Sequence, residues 1–265
     1  MNSPRLNRIL KYINQVGFAS VEELSEAVGV SMQTVRRDIR LLSDQNLVNR
    51  YHGGAARLNE EHADITIEIE NKNIDYSIRQ EQRISEKKAV ARKLVDHIKD
   101  GSSIFLSIGT TMEAVAHELT SKNDLTIFTN SLKVANILHE KSEFDVIIPG
   151  GTVQKRNGGL VNSETETFIR GIRVDYLLFS CGAVERSGYL LDFYMPEVHI
   201  VKMVMERCSK SFLIIDSEKF ETSAPIEISH LSKIDALFVD KEPAKDIRAI
   251  TAAAGVEIFT PQDYQ

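Results

Sequence analysis

The sequence predicts an α/β protein in two parts, an N-terminal winged helix-turn-helix and a larger C-terminal domain on a mostly parallel sheet. Three observations predict it. Residues 1–57 hold eight Lys and Arg against five Asp and Glu, and the rest of the chain holds 24 against 33, so a basic head precedes an acidic body within a net charge of −6. The head carries two short helix patterns separated by a glycine turn. The body alternates short apolar runs with amphipathic stretches, the pattern of strands covered by helices on both faces.

In the head, Leu6, Ile9, Leu10 and Ile13 fall on one helical face, and Gly17 ends that helix. Ser20 with Glu23 forms a capping box for a second helix, whose buried face is Leu24, Ala27 and Val28 before Gly29 stops it. Ser31 caps a third helix through Leu42 with Val35, Ile39 and Leu42 inward. This is helix-turn-helix spacing. The third helix therefore presents Gln33, Thr34, Arg36, Arg37 and Arg40 to DNA: Gln can pair with adenine, Arg with guanine or phosphate. A solvated basic face is the plainer reading of the arginines alone; the capped helix pair tips the balance. Leu47-Val48, the turn His52-Gly53-Gly54 and Ala55–Leu58 read as a two-stranded wing, with Arg50 and His52 toward the DNA backbone or minor groove.

The expected domains are 1–58, a polar linker 59–77, and 78–265. The body should open with one helix from Ile78 to Lys99, with Ala89, Leu94, Val95 and Ile98 inward. Strands follow at Ser103–Leu106, Leu125–Phe128, Val146–Ile148, Tyr176–Ser180, Ser211–Ile215, Ala236–Val239 and Glu257–Phe259. Helices are expected at Met112–Leu119, Leu132–Leu138, Glu197–Arg207 and Ala244–Ala254. In such sheets ligands sit at the carboxyl ends of the strands. The residues there are small and polar: Ser107 with Gly109, Thr110 and Thr111, then Thr129-Asn130, Gly150-Gly151, Gly182, and Lys219. Gly109 admits close backbone approach, Thr110 or Thr111 caps the next helix, and a helix start favours a phosphate or carboxylate. Lys219 adds charge, Gly150 and Gly151 let the backbone come close, and Asp192 and Glu197 accept from sugar hydroxyls. Singly each junction is only a capped turn; five on one sheet edge point to a pocket.

The run from Val21 to Ala55, with Thr34-Val35-Arg36-Arg37-Asp38-Ile39 and Arg50-x-His52-Gly53-Gly54-Ala55, resembles the head of the DeoR family of transcriptional regulators. The body resembles that family's sensor domain at Ile108-Gly109-Thr110-Thr111, Thr129-Asn130-Ser131-Leu132, Gly150-Gly151, Gly182 and Asp216-x-x-Lys219-Phe220. The resemblance covers nearly the whole chain. It implies a fold like ribose-5-phosphate isomerase, operator DNA as partner, a sugar-phosphate or other anionic sugar-like effector, and a dimer or tetramer. Leu190-Leu191-Asp192-Phe193 with Glu197 is most similar to the glycerol-3-phosphate repressor and sulfoquinovose-type branch. One departure stands out: most members carry Asp where this chain has Ser107.

Other chemistry finds little support. The seven histidines are scattered and the two cysteines, Cys181 and Cys208, lack metal or redox spacing, so no metal, cofactor or catalytic residue is expected, and free thiols suit a reducing compartment. The charged N-terminus is no secretion signal and no run is long enough to span a bilayer, so a cytoplasmic protein without membrane attachment is expected. The main reading is a repressor of a sugar-catabolic operon, not an enzyme, released by its effector. The alternatives are an isomerase-like enzyme carrying a DNA-binding head, and an activator or DNA-organising protein without effector.

Overall fold

A computed structural model describes residues 4–16, 18–45, 47–51, 54–57 and 76–261. It divides into two compact units, Met1–Lys72 and Asn73–Gln265. The expected linker lies outside the described residues except at its last two positions, where the second unit's first helix has already begun.

The first unit runs α1 (Pro4–Val16), β1 (Phe18–Ser20), α2 (Val21–Val28), α3 (Met32–Asp44), β2 (Val48–Tyr51) and β3 (Gly54–Arg57). Ile9, Ile13, Leu24, Val35, Ile39 and Leu42 close its core, with Leu6 and Leu10 packed at the rim. Two details differ from expectation. Ala27 is exposed, because α2 begins at Val21 and points Val21, Leu24 and Val28 inward. The Ala27 carbonyl instead accepts from Arg8 Nη2 at 3.0 Å. The wing has three strands, in the order β1-β3-β2, since Phe18–Ser20 pairs antiparallel with β3. Ser20 is thus the last residue of a strand directly before α2, and its capping side chain lies outside the described residues, as do His52, Gly53 and the Arg50 side chain.

The second unit opens with α4 (Tyr76–Glu81) and α5 (Ile84–Val95) where one helix was expected. The break is at Arg83, held left-handed at φ 52°. Its guanidinium leaves the helix path to reach Glu218 at 2.7 Å and Asp240 at 2.8 Å. Next come β4 (Ser103–Leu106), α6 (Thr110–Leu119), β5 (Thr126–Thr129), α7 (Leu132–Leu138), β6 (Asp145–Ile147), α8 (Ser163–Arg170) and β7 (Val174–Phe179). The chain ends through β8 (Ala183–Val184), β9 (Tyr189–Asp192), α9 (Met195–Met205), β10 (Cys208–Ile215), β11 (Ile226–His230), β12 (Ala236–Val239), α10 (Lys245–Ala254) and β13 (Glu257–Phe259). Seven strands form one parallel sheet in the order β13-β12-β10-β7-β4-β5-β6. Its strands alternate between two cores: Ile104 and Leu106 pack on one face, Phe105 on the other with Leu177, Phe179 and Leu213. The second sheet, antiparallel β11-β9-β8, was not expected.

The order of the parallel sheet decides where a ligand can sit. The chain winds outward from β4 to β6, then returns and winds the other way from β7 to β13. Neighbouring strands β4 and β7 therefore carry their following loops in opposite directions and leave a crevice at their carboxyl ends. Among the described residues, no helix is long and apolar enough to cross a membrane, and no group of three or more His, Cys, Asp or Glu is placed to hold a metal ion.

Candidate functional site

On α3, the Ser31 hydroxyl accepts from the Thr34 amide at 3.3 Å and lies 2.9 Å from the Thr34 hydroxyl, fixing the helix start. Gln33, Arg36, Arg37 and Arg40 are exposed and Thr34 is half-buried. Those three arginines have no ion-pair partner among the described residues. Asp38, on the same helix, is buried and takes a two-point contact from Arg5 at 2.6 and 2.9 Å. That contact ties α3 to α1 and removes the Asp38 carboxylate from the exposed face beside the arginines. What remains is a cationic surface with amide and hydroxyl groups near the helix start, the form that enters a major groove.

In the second unit, the β4–α6 junction has an anion-seeking end. Gly109 stands before α6 at φ 141°, ψ 156°, and no side chain caps the helix. The expected threonine cap is absent: the Thr110 hydroxyl accepts from Lys87 Nζ at 3.0 Å, and Thr111 is buried. The first α6 amides are thus left without a side-chain cap, and nothing lies within 4 Å of where a Gly109 Cβ would stand. Lys87 and Arg79 were not anticipated. Lys87 is buried, and its ammonium also donates to the carbonyls of Arg79 and Gln82. Burial pulls its pKa down to about 8; Asp216 opposes this, while Lys219 and Arg79 add to it. The Arg79 guanidinium lies 5.3 Å from the Tyr76 ring centre, and its buried Nε has no hydrogen-bond partner. Half-buried Lys219 sits on the 3-10 turn Ser217–Phe220, which Arg83 holds through Glu218. Lys87 therefore meets the uncapped helix start at Thr110, and Arg79 and Lys219 are near enough for their charges to act on Lys87 and Asp192.

The other side seeks hydrogen-bond donors. A cavity of about 20 Å³ is lined by Ser107, Asn130, Ser180, Asp192 and Glu197. Asn130 is 1% exposed; its Nδ2 donates to the Leu160 carbonyl at 3.0 Å, and its Oδ1 has no partner. Burial raises the Asp192 carboxyl to a pKa of about 6, with Glu197 adding to the rise and Lys219 and Arg79 opposing it. Glu197 is occupied, accepting from Arg156 at 2.9 Å and Asn157 at 2.8 Å. Thr129 turns inward, its hydroxyl accepting from the Ser131 amide at 3.1 Å. Gly150 is exposed and open, but Gly151 (φ 132°) packs on Asn162, the cap of α8, and a Cβ on Gly182 would meet the Phe193 ring at 2.8 Å. Gly151 and Gly182 serve packing beside the crevice.

Comparison with known proteins follows this division. The family described as the DeoR-like helix-turn-helix domain matches residues 5–61, and that described as the DeoR C terminal sensor domain matches residues 82–241. The HTH-type transcriptional repressor CsqR of Escherichia coli is 39% identical over 98% of this chain and 96% of its own. The glycerol-3-phosphate regulon repressor of Escherichia coli is 35% identical over 93% of this chain and 94% of its own. Ribose 5-phosphate isomerase A from Neisseria gonorrhoeae aligns over 51% of this chain and 52% of its own, at 15% identity and TM-score 0.38.

Proposed function

The chain belongs to the DeoR family of DNA-binding transcriptional regulators, and from that premise we propose that a small polyhydroxylated anion, a sugar phosphate or its like, binds the crevice between β4 and β7 and weakens operator binding. One observation carries the reading: an uncapped helix start flanked by Lys87, Arg79 and Lys219 lies beside the unpartnered Asn130 Oδ1 and the Asp192 carboxylate. The first group suits an anion and the second suits donating hydroxyls, so the site suits a molecule bearing both. The anion accepts from the α6 amides, the Thr110 hydroxyl and the Lys219 ammonium, while Lys87, whose three N–H bonds are already used, contributes its charge. The hydroxyls donate to Asn130 and Asp192, with Ser107 offering a hydroxyl where a carboxylate is usual in the family.

Gln33, Thr34, Arg36, Arg37 and Arg40 read the operator in this account, with Arg50 and His52 on the wing reaching its backbone. The protein acts in the cytoplasm as a dimer or tetramer, because paired heads double the contacts of one small reading helix. Release from DNA requires only that the effector prefer one arrangement of the assembly; a tenfold loss of affinity corresponds to about 1.4 kcal/mol of coupling. Relatives that align nearly end to end are named as regulators, which favours this reading over an isomerase-like enzyme. The test is a thermal-shift and calorimetry screen with glycerol 3-phosphate, hexose phosphates and inorganic phosphate. A true effector at a hundred times its Kd stabilises the native state by about 2.7 kcal/mol, and Lys87→Met abolishes the shift. Equal binding by the wild type and Lys87→Met would place the ligand elsewhere.

A further inference from the structure

We propose that the hairpin 153–160 is a strap latched over the inner, hydroxyl-reading end of the crevice, and that Glu197 is its catch. The inference rests on the effector reading above for what the strap admits, and on contacts within this unit for the strap itself. The base of the hairpin is firm. Leu160 donates its amide to the Asn130 carbonyl at 2.8 Å and Asn130 Nδ2 returns a bond to Leu160, while nearer the tip Leu132 donates to the Gly158 carbonyl at 3.1 Å and hinges the turn on the start of α7. Gly158 at φ 77° makes the turn at its tip possible. From there the tip crosses from the β5 side of the crevice to the β9–α9 side. Gln154 Nε2 donates to the Tyr194 hydroxyl at 3.0 Å, Arg156 stacks 4.6 Å from the Tyr194 ring centre, and Arg156 and Asn157 both donate to the same Glu197 oxygen.

Size makes the strap consequential. The cavity of about 20 Å³ beside Asn130 and Asp192 has room for about one water. Glu197 lines that cavity and is fixed there by the tip, so the space beside the unpartnered Asn130 Oδ1 stays too small for a phosphorylated polyol while the contact holds. The latch is of a kind that opens: Arg156 is 38% exposed and Glu197 16%, so their ion pair is partly screened. Glu197 thus acts on the ligand through the strap, as a positioning residue, in place of the hydroxyl acceptor expected from sequence. Opening parts the tip from Glu197 and Tyr194; closing over a bound ligand restores both contacts.

Hydrogen exchange on the full-length chain tests this without a known effector. The amides of Gln154 and Gly158, both bonded within the hairpin, exchange by local opening, at least about tenfold faster than the amides of β4 and β7. Arg156→Ala speeds the strap amides by about fivefold and leaves the sheet amides unchanged. Tyr194→Phe, which keeps the ring and removes the hydroxyl, speeds them less. Glycerol 3-phosphate, glucose 6-phosphate and inorganic phosphate are then added in turn, and a phosphate that seats under the strap slows its exchange. Strap amides that exchange only together with the sheet, or that ignore Arg156→Ala, overturn the proposal. Opening that is present but insensitive to every phosphate leaves the strap standing and removes the effector reading.

Discussion

Lys87 decides most of what the site can do at the scale of single residues. Its ammonium is buried against two carbonyls and the Thr110 hydroxyl, and its pKa of about 8 sits below the ordinary 10.5. An anion bound beside it favours the charged form, so above pH 8 the free protein must take up a proton to bind. Effector affinity therefore falls as pH rises past 8, by at most about tenfold per unit; calorimetry across that range with the screened ligand checks it, and a flat profile removes Lys87 from the site. Asp192 works in the opposite direction on stability. Its folded pKa of about 6 lies above the ordinary 3.8, so the native state holds an extra proton between those values. Its contribution to stability is present below that window and is lost as pH rises through it. Denaturant titrations of wild type and Asp192→Asn should converge below that window and separate in favour of Asn above it. Sequence showed the strand-end hydroxyls and glycines because each lies next to an apolar run. Lys87 was also legible in principle, since it shares a helical stripe with Val90, Ala91 and Leu94, which are all buried. Arg79 and Arg156 were not: Arg79 is placed by the unexpected break at Arg83, and Arg156 lies in a hairpin without periodic pattern. Gly109 carries a further lesson, because at φ 141° any side chain strains the backbone, so Gly109→Val disturbs the loop whether or not a ligand binds there.

For the elements, α3 is the part whose role is most directly testable. Arg37→Ala or Arg40→Ala weakens operator binding, and lowers the salt slope by about one unit if that arginine holds a phosphate. Fluorescence anisotropy across a salt series measures both; unchanged binding in Gln33, Thr34, Arg36, Arg37 and Arg40 alanine variants alike would sink the assignment. The β7–β8 junction gives a stability test. A methyl group at Gly182 meets the Phe193 ring at 2.8 Å, so Gly182→Ala lowers stability by about 1–3 kcal/mol by overpacking, seen as a lower denaturant midpoint. The parallel strands were readable because both faces are buried, which makes the IFL that follows Ser103, or ALFV at Ala236–Val239, continuously apolar. The antiparallel sheet was not, because β8 has two residues and β9 begins at exposed Tyr189. Helix α8 was missed because its eight residues bury only Thr165 and Ile169. The α4–α5 break was missed because Arg83 is turned by acidic partners about 135 and 157 residues away.

At the scale of the whole molecule, a basic reading unit and an acidic sensing unit share one chain, and the charge split keeps attraction to phosphate at the head. Assembly through the acidic body predicts a dimer or larger species in sedimentation at micromolar concentration; a monomer that still binds its operator tightly would contradict it. The measurement that bears most directly on the account is operator affinity with and without the phosphate that scores in the screen, on DNA upstream of the protein's own gene, for wild type and Lys87→Met. Adding ligand lowers wild-type affinity at least about tenfold, equivalent to about 1.4 kcal/mol of coupling, and leaves Lys87→Met, whose ligand-free affinity matches the wild type, unchanged. A ligand that leaves wild-type affinity untouched, or that releases Lys87→Met equally well, contradicts it.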